Sequence, residues 1–160
     1  MSIQILNKDH GQSAGKLIKE FAKALDRKKQ RSHELWILSC YIDLDLVEQY
    51  VDYLLGSIRL TEVFLAFNFA EIYKAGPIET ENKLNDIQKS LNDKNIDFEW
   101  RVLASPQLVH SKGYALIQRS GDKVSDGIVL ITSANFTKPG FKGDNIEIGY
   151  ENDPIGNFIT

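Results

Sequence analysis

A chain of 160 residues, 42% hydrophobic and 26% charged, is long enough to bury a core, and its composition excludes a disordered or fibrous protein. A net charge of −3 excludes a uniformly basic nucleic-acid-binding surface, so a polyanionic substrate has to be met by a local group of lysines. One cysteine excludes an internal disulfide.

The opening residues have no basic region followed by an apolar stretch, and no apolar run approaches the roughly 20 residues of a bilayer span. The expectation is a cytoplasmic protein with no membrane partner. Ala14, Leu17, Ile18, Phe21, Ala22 and Leu25 follow helical spacing, so residues 13–30 read as an amphipathic helix. Its last turn holds Arg27, Lys28 and Lys29. Gly11, Gly15 and Lys16 invite comparison with a phosphate-binding P-loop, but one residue too few separates the glycines and Leu17 follows the lysine. Gly15 and Lys16 are assigned instead to the helix's first turn.

The apolar run Leu35–Ile42 predicts a strand covered on both faces, with Cys40 as a packed thiol. Val47, Tyr50, Val51, Leu54 and Ile58 predict a second helix, capped by Asp43 or Asp45. These two carboxylates read as solvated helix-start groups, not a metal pair. His10 and His33 fall in polar stretches and are expected at the surface. Glu62–Phe69 is a further strand, and Gly76 and Pro77 mark a polar loop. A helix follows over 78–94 with Leu84, Ile87 and Leu91 on one face. Phe98, Trp100 and Val102 alternate as a strand, and Leu108–Gln118, Gly127–Ser133 and Asn145–Tyr150 predict three more. Helices alternating with strands, then strands alone, predict one α/β domain over residues 1–160, a mixed β-sheet sandwiched by helices. Residues 153–160 read as a turn into an element that an additional C-terminal domain of a longer parent protein would supply.

The last three strands carry polar groups where apolar ones are expected. Alternation puts His110 and Lys112 on one face of their strand. Ser133 and Asn135 share a face if theirs continues to Asn135, as do Asn145 and Glu147 on the next. A buried polar group without a partner costs about 1–3 kcal/mol, so three such strands in succession suggest that the groups meet at a site. A His, a Lys, a hydroxyl, a carboxamide and a carboxylate make a phosphoryl-transfer site without a metal or other cofactor. Lys112 and Asn135 can donate to phosphate oxygens and Ser133 can help position them. Glu147 can accept from one imidazole nitrogen of His110 and leave the other nucleophilic.

His110-Ser111-Lys112 followed by Ser133-Ala134-Asn135 resembles the H-x-K and S-x-N motif of the phospholipase D superfamily, and Asn145-Ile146-Glu147 is similar to its N-x-E. Phe136 and Thr137 after the second motif resemble the nuclease and helicase-associated branch. The sequence departs from the family at Ile117, where an Asp is frequent, and at Thr132, where a Gly is. The resemblance implies a phospholipase D-like fold. It also implies a phosphodiesterase, first of all a nuclease, that passes through a phosphohistidine. The family mechanism uses two motifs per site, and this chain has one, so the second is expected either from a second copy of the chain in a two-fold dimer, the preferred expectation, or from a region beyond residue 160 of a longer parent protein. Nucleic acid, DNA before RNA, is the expected substrate. Lys138, Lys142, Arg101 and Lys123 are candidates for charge near the cleft, and Phe136, Phe141 and Tyr114 for base stacking. Residues around Asn68–Thr80 are expected to flank the cleft. The alternatives are a phospholipid or small-diester phosphodiesterase, and a non-catalytic DNA-binding module of a larger restriction or helicase assembly.

Overall fold

The computed structural model describes residues 2–6, 13–25, 31–68, 76–103, 112–142 and 147–152. In chain order they form β1 (Ser2–Leu6), α1 (Ala14–Leu25), β2 (Ser32–Ser39), α2 (Leu44–Leu55), β3 (Arg59–Asn68), α3 (Pro77–Asn92), β4 (Asp97–Leu103), β5 (Lys112–Ser120), β6 (Lys123–Thr132), α4 (Lys138–Lys142) and β7 (Glu147–Asn152). The fold is α/β with a mixed sheet of seven strands, in the order β1-β7-β6-β5-β2-β3-β4. β2, β3 and β4 pair in parallel, while β5, β6, β7 and β1 join through antiparallel ladders.

This strand order decides where the helices lie. The ladder directions make β1, β2, β3 and β4 parallel to one another, and they follow one direction across the sheet. Right-handed crossovers between strands laid down in one direction put every connecting helix on the same face. α1 accordingly packs on β5 and β6, α2 on β3 and α3 on β4, with α2 touching both other helices. The core is the layer between them: Ala14, Ile18, Val47, Leu54, Leu84, Ile87 and Leu91 from the helices meet Leu35, Ile37, Val63, Leu65, Leu116 and Leu130 from the sheet.

The opposite sheet face has no helix on it among the described residues. In β2 the alternate residues Leu35 and Ile37 are buried, whereas Trp36 is 38% exposed against Phe64. The expectation of a strand covered on both faces is therefore corrected: an unbroken apolar run serves here for one deep face and one half-open one. His33, expected at the surface, is completely buried. It lies on the helix-covered face, with Nδ1 3.3 Å from the Arg59 carbonyl and Nε2 3.4 Å from the Gln118 amide nitrogen. Its polar sequence neighbours hid a strand that begins at Ser32.

Helix boundaries follow from local chemistry. Ser13 Oγ accepts from the Lys16 amide at 3.1 Å, so Gly15 and Lys16 do form the first turn of α1. Asp43 caps α2 by accepting from the Asp45 amide at 3.2 Å. Pro77 opens α3, where its missing N–H costs nothing. Cys40 is buried, as expected. β1 is an addition to the expected strands: Ile3, Gln4 and Ile5 alternate as a strand should, but over only five residues at the sheet edge. Arg27–Lys29 and His10 lie outside the described residues.

Glu62 stands on the half-open face, across from Asp97 and beside Glu34. Burial, then the charges of Glu34 and Glu99, hold its carboxyl above the usual carboxylate range. The folded chain therefore binds this proton more tightly than the unfolded one, and the fold loses stability as pH rises through the raised value. Glu62→Gln is expected to raise the melting temperature slightly at neutral pH, a gain that vanishes at about pH 3, well below the unfolded-state value, where wild-type Glu62 is protonated in both states. Thermal melts at the two pH values check this, and a variant less stable than wild type at pH 7 would refute it.

Candidate active site

One end of the sheet collects the polar residues singled out above. It is the end where the parallel strands β2 and β3 finish, at Ser39 and Asn68. Because β5 runs against β2, its first residue, Lys112, stands at that end, and the register pairs Lys112 with Thr132, the last residue of β6. Thr132 pairs in turn with Gly149, which places the start of β7, Glu147, at the same end. In open α/β sheets this carboxyl end is where ligands bind, since the loops there leave a crevice.

Lys112 shares the helix-covered face with Tyr114, Leu116 and Gln118. It is only 9% exposed, and among the described residues its side chain has no hydrogen-bond or ion-pair partner. A lysine placed this deep calls for an anionic or hydrogen-bonding complement at the end of its side chain.

β6 stops at Thr132 rather than continuing to Asn135. Thr132 Oγ1 accepts from the Ala134 amide at 3.0 Å and turns the chain, so Ser133 and Asn135 do not share a strand face. The turned segment is instead clamped onto the β2–α2 connection. Asn135 Oδ1 accepts from the Tyr41 amide at 3.0 Å, Ser39 Oγ accepts from the Phe136 amide at 2.8 Å, and the Phe136 carbonyl accepts from the Asp43 amide at 2.8 Å. The Tyr114 hydroxyl adds a bond of 2.7 Å to the Ala134 carbonyl. With its oxygen committed to Tyr41, the Asn135 amide keeps Nδ2 as its donor, and that donor has no acceptor among the described residues. Ser133 is exposed at the turn. Gly140 closes the arrangement: a Cβ there would stand 2.8 Å from the Asn135 carbonyl oxygen and 3.0 Å from its nitrogen.

His110 lies outside the described residues, as does the side chain of Glu147, whose backbone opens β7. Lys112, Ser133 and Asn135 are brought to one end. The aromatic candidates are not available for stacking: Tyr114, Phe136 and Phe141 are at most 2% exposed. They pack on one another, with centroids 4.6 Å apart for Phe136–Phe141 and 4.9 Å for Tyr114–Phe141. Their apolar faces follow Lys112 and Asn135 in sequence because they form the layer beneath them. Lys123 opens β6 at the opposite end of the sheet, and Arg101 sits on β4 paired with Glu99. Lys138 is 3.8 Å from Asp43, and Lys83 bonds to Asp45 and holds that carboxyl below its usual range, so the two helix-start carboxylates are ion-paired. Asn68 finishes β3 at the candidate end, almost completely buried, and residues 69–75 lie outside the described ones.

Sequence reasoning missed Ser39, Tyr41 and Gly140 as supports of the site. Ser39 could have been noticed as a hydroxyl closing an apolar strand. The Tyr41 contribution is a backbone amide, which no side-chain pattern announces.

No protein-family model and no curated protein matches the sequence. Among solved structures, NucT from Helicobacter pylori is similar over 95% of this chain and 84% of its own, at 16% identity and a TM-score of 0.45. The yeast tyrosyl-DNA phosphodiesterase is similar over 96% of this chain at 11% identity and a TM-score of 0.48, and the chain spans 32% of that protein's length. No helix among the described residues is long and apolar enough to cross a membrane. The chain is an α/β domain with a mixed seven-stranded sheet, similar to NucT and to part of the yeast phosphodiesterase, with Lys112, Ser133 and Asn135 gathered at one end of that sheet.

Proposed function

We propose that the chain is a metal-independent phosphodiesterase of the phospholipase D superfamily, a nuclease, in which two copies pair to form one active site. The observation that carries this is Lys112, a lysine buried at the sheet end without a partner among the described residues, two positions after His110. Ser133 and Asn135 stand at the same end, and the motif spacing supports the family reading.

In this reading the scissile phosphate lies over Lys112, whose ammonium and the Asn135 Nδ2 donate to its non-bridging oxygens. A free imidazole nitrogen of His110, oriented by Glu147 at the other nitrogen, attacks phosphorus and forms an N–P bond as the P–O bond to the leaving group breaks. The partner copy's histidine gives its proton to the departing oxygen, then takes one from water. That water's oxygen attacks phosphorus, breaks the N–P bond and returns His110 to its starting state.

The test is turnover of single- and double-stranded DNA, RNA and phosphatidylcholine vesicles side by side, at low salt and in excess EDTA. A nucleic acid is expected to be cut at an undiminished rate in chelator, and the lipid not at all. Turnover confined to the lipid would replace this reading with the lipid one. Salt-sensitive DNA binding without cleavage would replace it with the binding module. Activity lost to EDTA and restored by a divalent ion would end the metal-independent mechanism.

A further inference from the structure

A second hollow lies beside the candidate site on the same side of the sheet. It is a crevice of about 450 Å³ between the first turn of α1, the middle of α2 and α4. Tyr50, Tyr53, Leu46 and Phe141 form its walls, and Lys16 and Lys142 its rim. That volume is within the range of ligand pockets, about 300–1,000 Å³, which are lined by apolar and aromatic groups with a few polar ones.

The crevice is rigid at the back. Tyr50 donates from its hydroxyl to the Gly15 carbonyl at 2.8 Å and meets Phe141 edge-on, with centroids 4.7 Å apart at 89°. The same Phe141 ring packs on Tyr114, two positions along the strand from Lys112, and on Phe136, the neighbour of Asn135. One aromatic layer therefore separates the crevice from the motif residues. At the front, Tyr53 is 44% exposed, and Lys19 Nζ stands over its ring, 2.7 Å from the centroid.

Charge sharpens the choice of ligand. The chain as a whole is acidic, yet the described residues lining this crevice include two lysines and, among them, no carboxylate. Glu20 reaches the rim at Lys16, 3.8 Å away, and both of these groups are about half exposed to water. Aromatic walls under a cationic rim suit a molecule with a flat apolar body and an anionic edge, the chemistry of a nucleotide. Gln49 and Ser13, the other polar groups of the lining, can donate and accept along a base edge.

We infer that this crevice is a base-binding subsite for single-stranded nucleic acid: it seats one base against Tyr53 while Lys16 and Lys142 hold the adjoining phosphate and a neighbouring phosphodiester reaches Lys112. The inference rests on the nuclease reading for the identity of the strand it serves. A duplex would have to turn a base out of its stack to use the crevice, so single strands bind it first.

The test measures binding of a fluorescent single-stranded oligonucleotide to the whole chain, and separately the kinetics of bis(p-nitrophenyl) phosphate, a diester too small to span both sites. Tyr53→Ala is expected to raise the oligonucleotide Kd about tenfold, Tyr53→Phe to restore it, and Lys142→Gln to weaken binding and lessen its salt dependence. Neither kcat nor KM for the small diester should change. A mononucleotide monophosphate should compete with the oligonucleotide far better than inorganic phosphate does. Oligonucleotide affinity indifferent to Tyr53→Ala overturns the subsite, as does equal competition by inorganic phosphate. Loss of small-diester turnover in Tyr53→Ala overturns it too, by assigning the ring a structural role. The His110→Ala chain separates the two ideas: Tyr53-dependent binding there upholds the subsite even if cleavage of every diester is absent in wild type, which would refute the nuclease reading by itself.

Discussion

His110→Ala is expected to lower nucleic-acid turnover on the order of 10³- to 10⁵-fold while the melting temperature stays close to wild type, because the imidazole supplies the bond-forming nitrogen. Glu147→Gln should cost less, about 10- to 100-fold, since its role is to fix the tautomer of another group. Quenched reactions of the wild type should hold phosphate on histidine, labile to acid and stable to base, and the variant should hold none. The same variant tests the shared site. When it is mixed with an equal amount of wild type and the subunits exchange, random pairing leaves about a quarter of pairs with two intact histidines. Activity should then fall to about a quarter of the wild-type value at the same total chain, whereas independent sites would retain about half. A monomer in light scattering that stays fully active at every dilution would end the composite-site proposal. Full turnover by His110→Ala would end the phosphohistidine one.

Lys112→Met is the second substitution with a large expected effect. Methionine keeps most of the buried stem and removes the ammonium, so the packing of that stem survives. The expected loss in kcat/KM is about 10²- to 10³-fold, the size seen when one preorganised donor to a developing oxyanion is removed. Folding should respond in the opposite direction. Lys112 is 9% exposed and has no partner among the described residues, so deleting its charge should leave the melting temperature equal or higher. Lys112→Arg is not expected to restore the rate, because a planar fork cannot occupy the place of a point charge at the end of a strand. A Lys112→Met chain that melts well below wild type and cleaves normally would make Lys112 a structural residue and remove the main support for the proposed function.

Much of this protein is local and therefore open to reading from the chain. The apolar spacing of Val47, Tyr50, Val51 and Leu54, and of Leu84, Ile87 and Leu91, marks helix faces, and all of these residues are buried. Ser13 and Asp43 act as caps through bonds that span two or three residues. The spacing of H-x-K, S-x-N and N-x-E belongs to the sequence itself. What the tertiary structure decided is whatever depends on distant partners. His33 is buried because strands 26 and 85 residues away supply Arg59 and Gln118. Trp36 is half open because four parallel strands laid down in one direction send their crossover helices to the other face, a property of strand order that no single segment carries. Asn135 is held by a backbone amide 94 residues away, so the turn that lifts Ser133 and Asn135 off their strand could not be foreseen from alternation. The burial of Lys112, and the aromatic wall of Tyr114, Phe136 and Phe141 beneath it, arise where β5, β6 and α4 converge. Side-chain pattern reports which face of an element is apolar; which groups meet at the end of a sheet is set by how the strands are ordered, and that is a long-range choice.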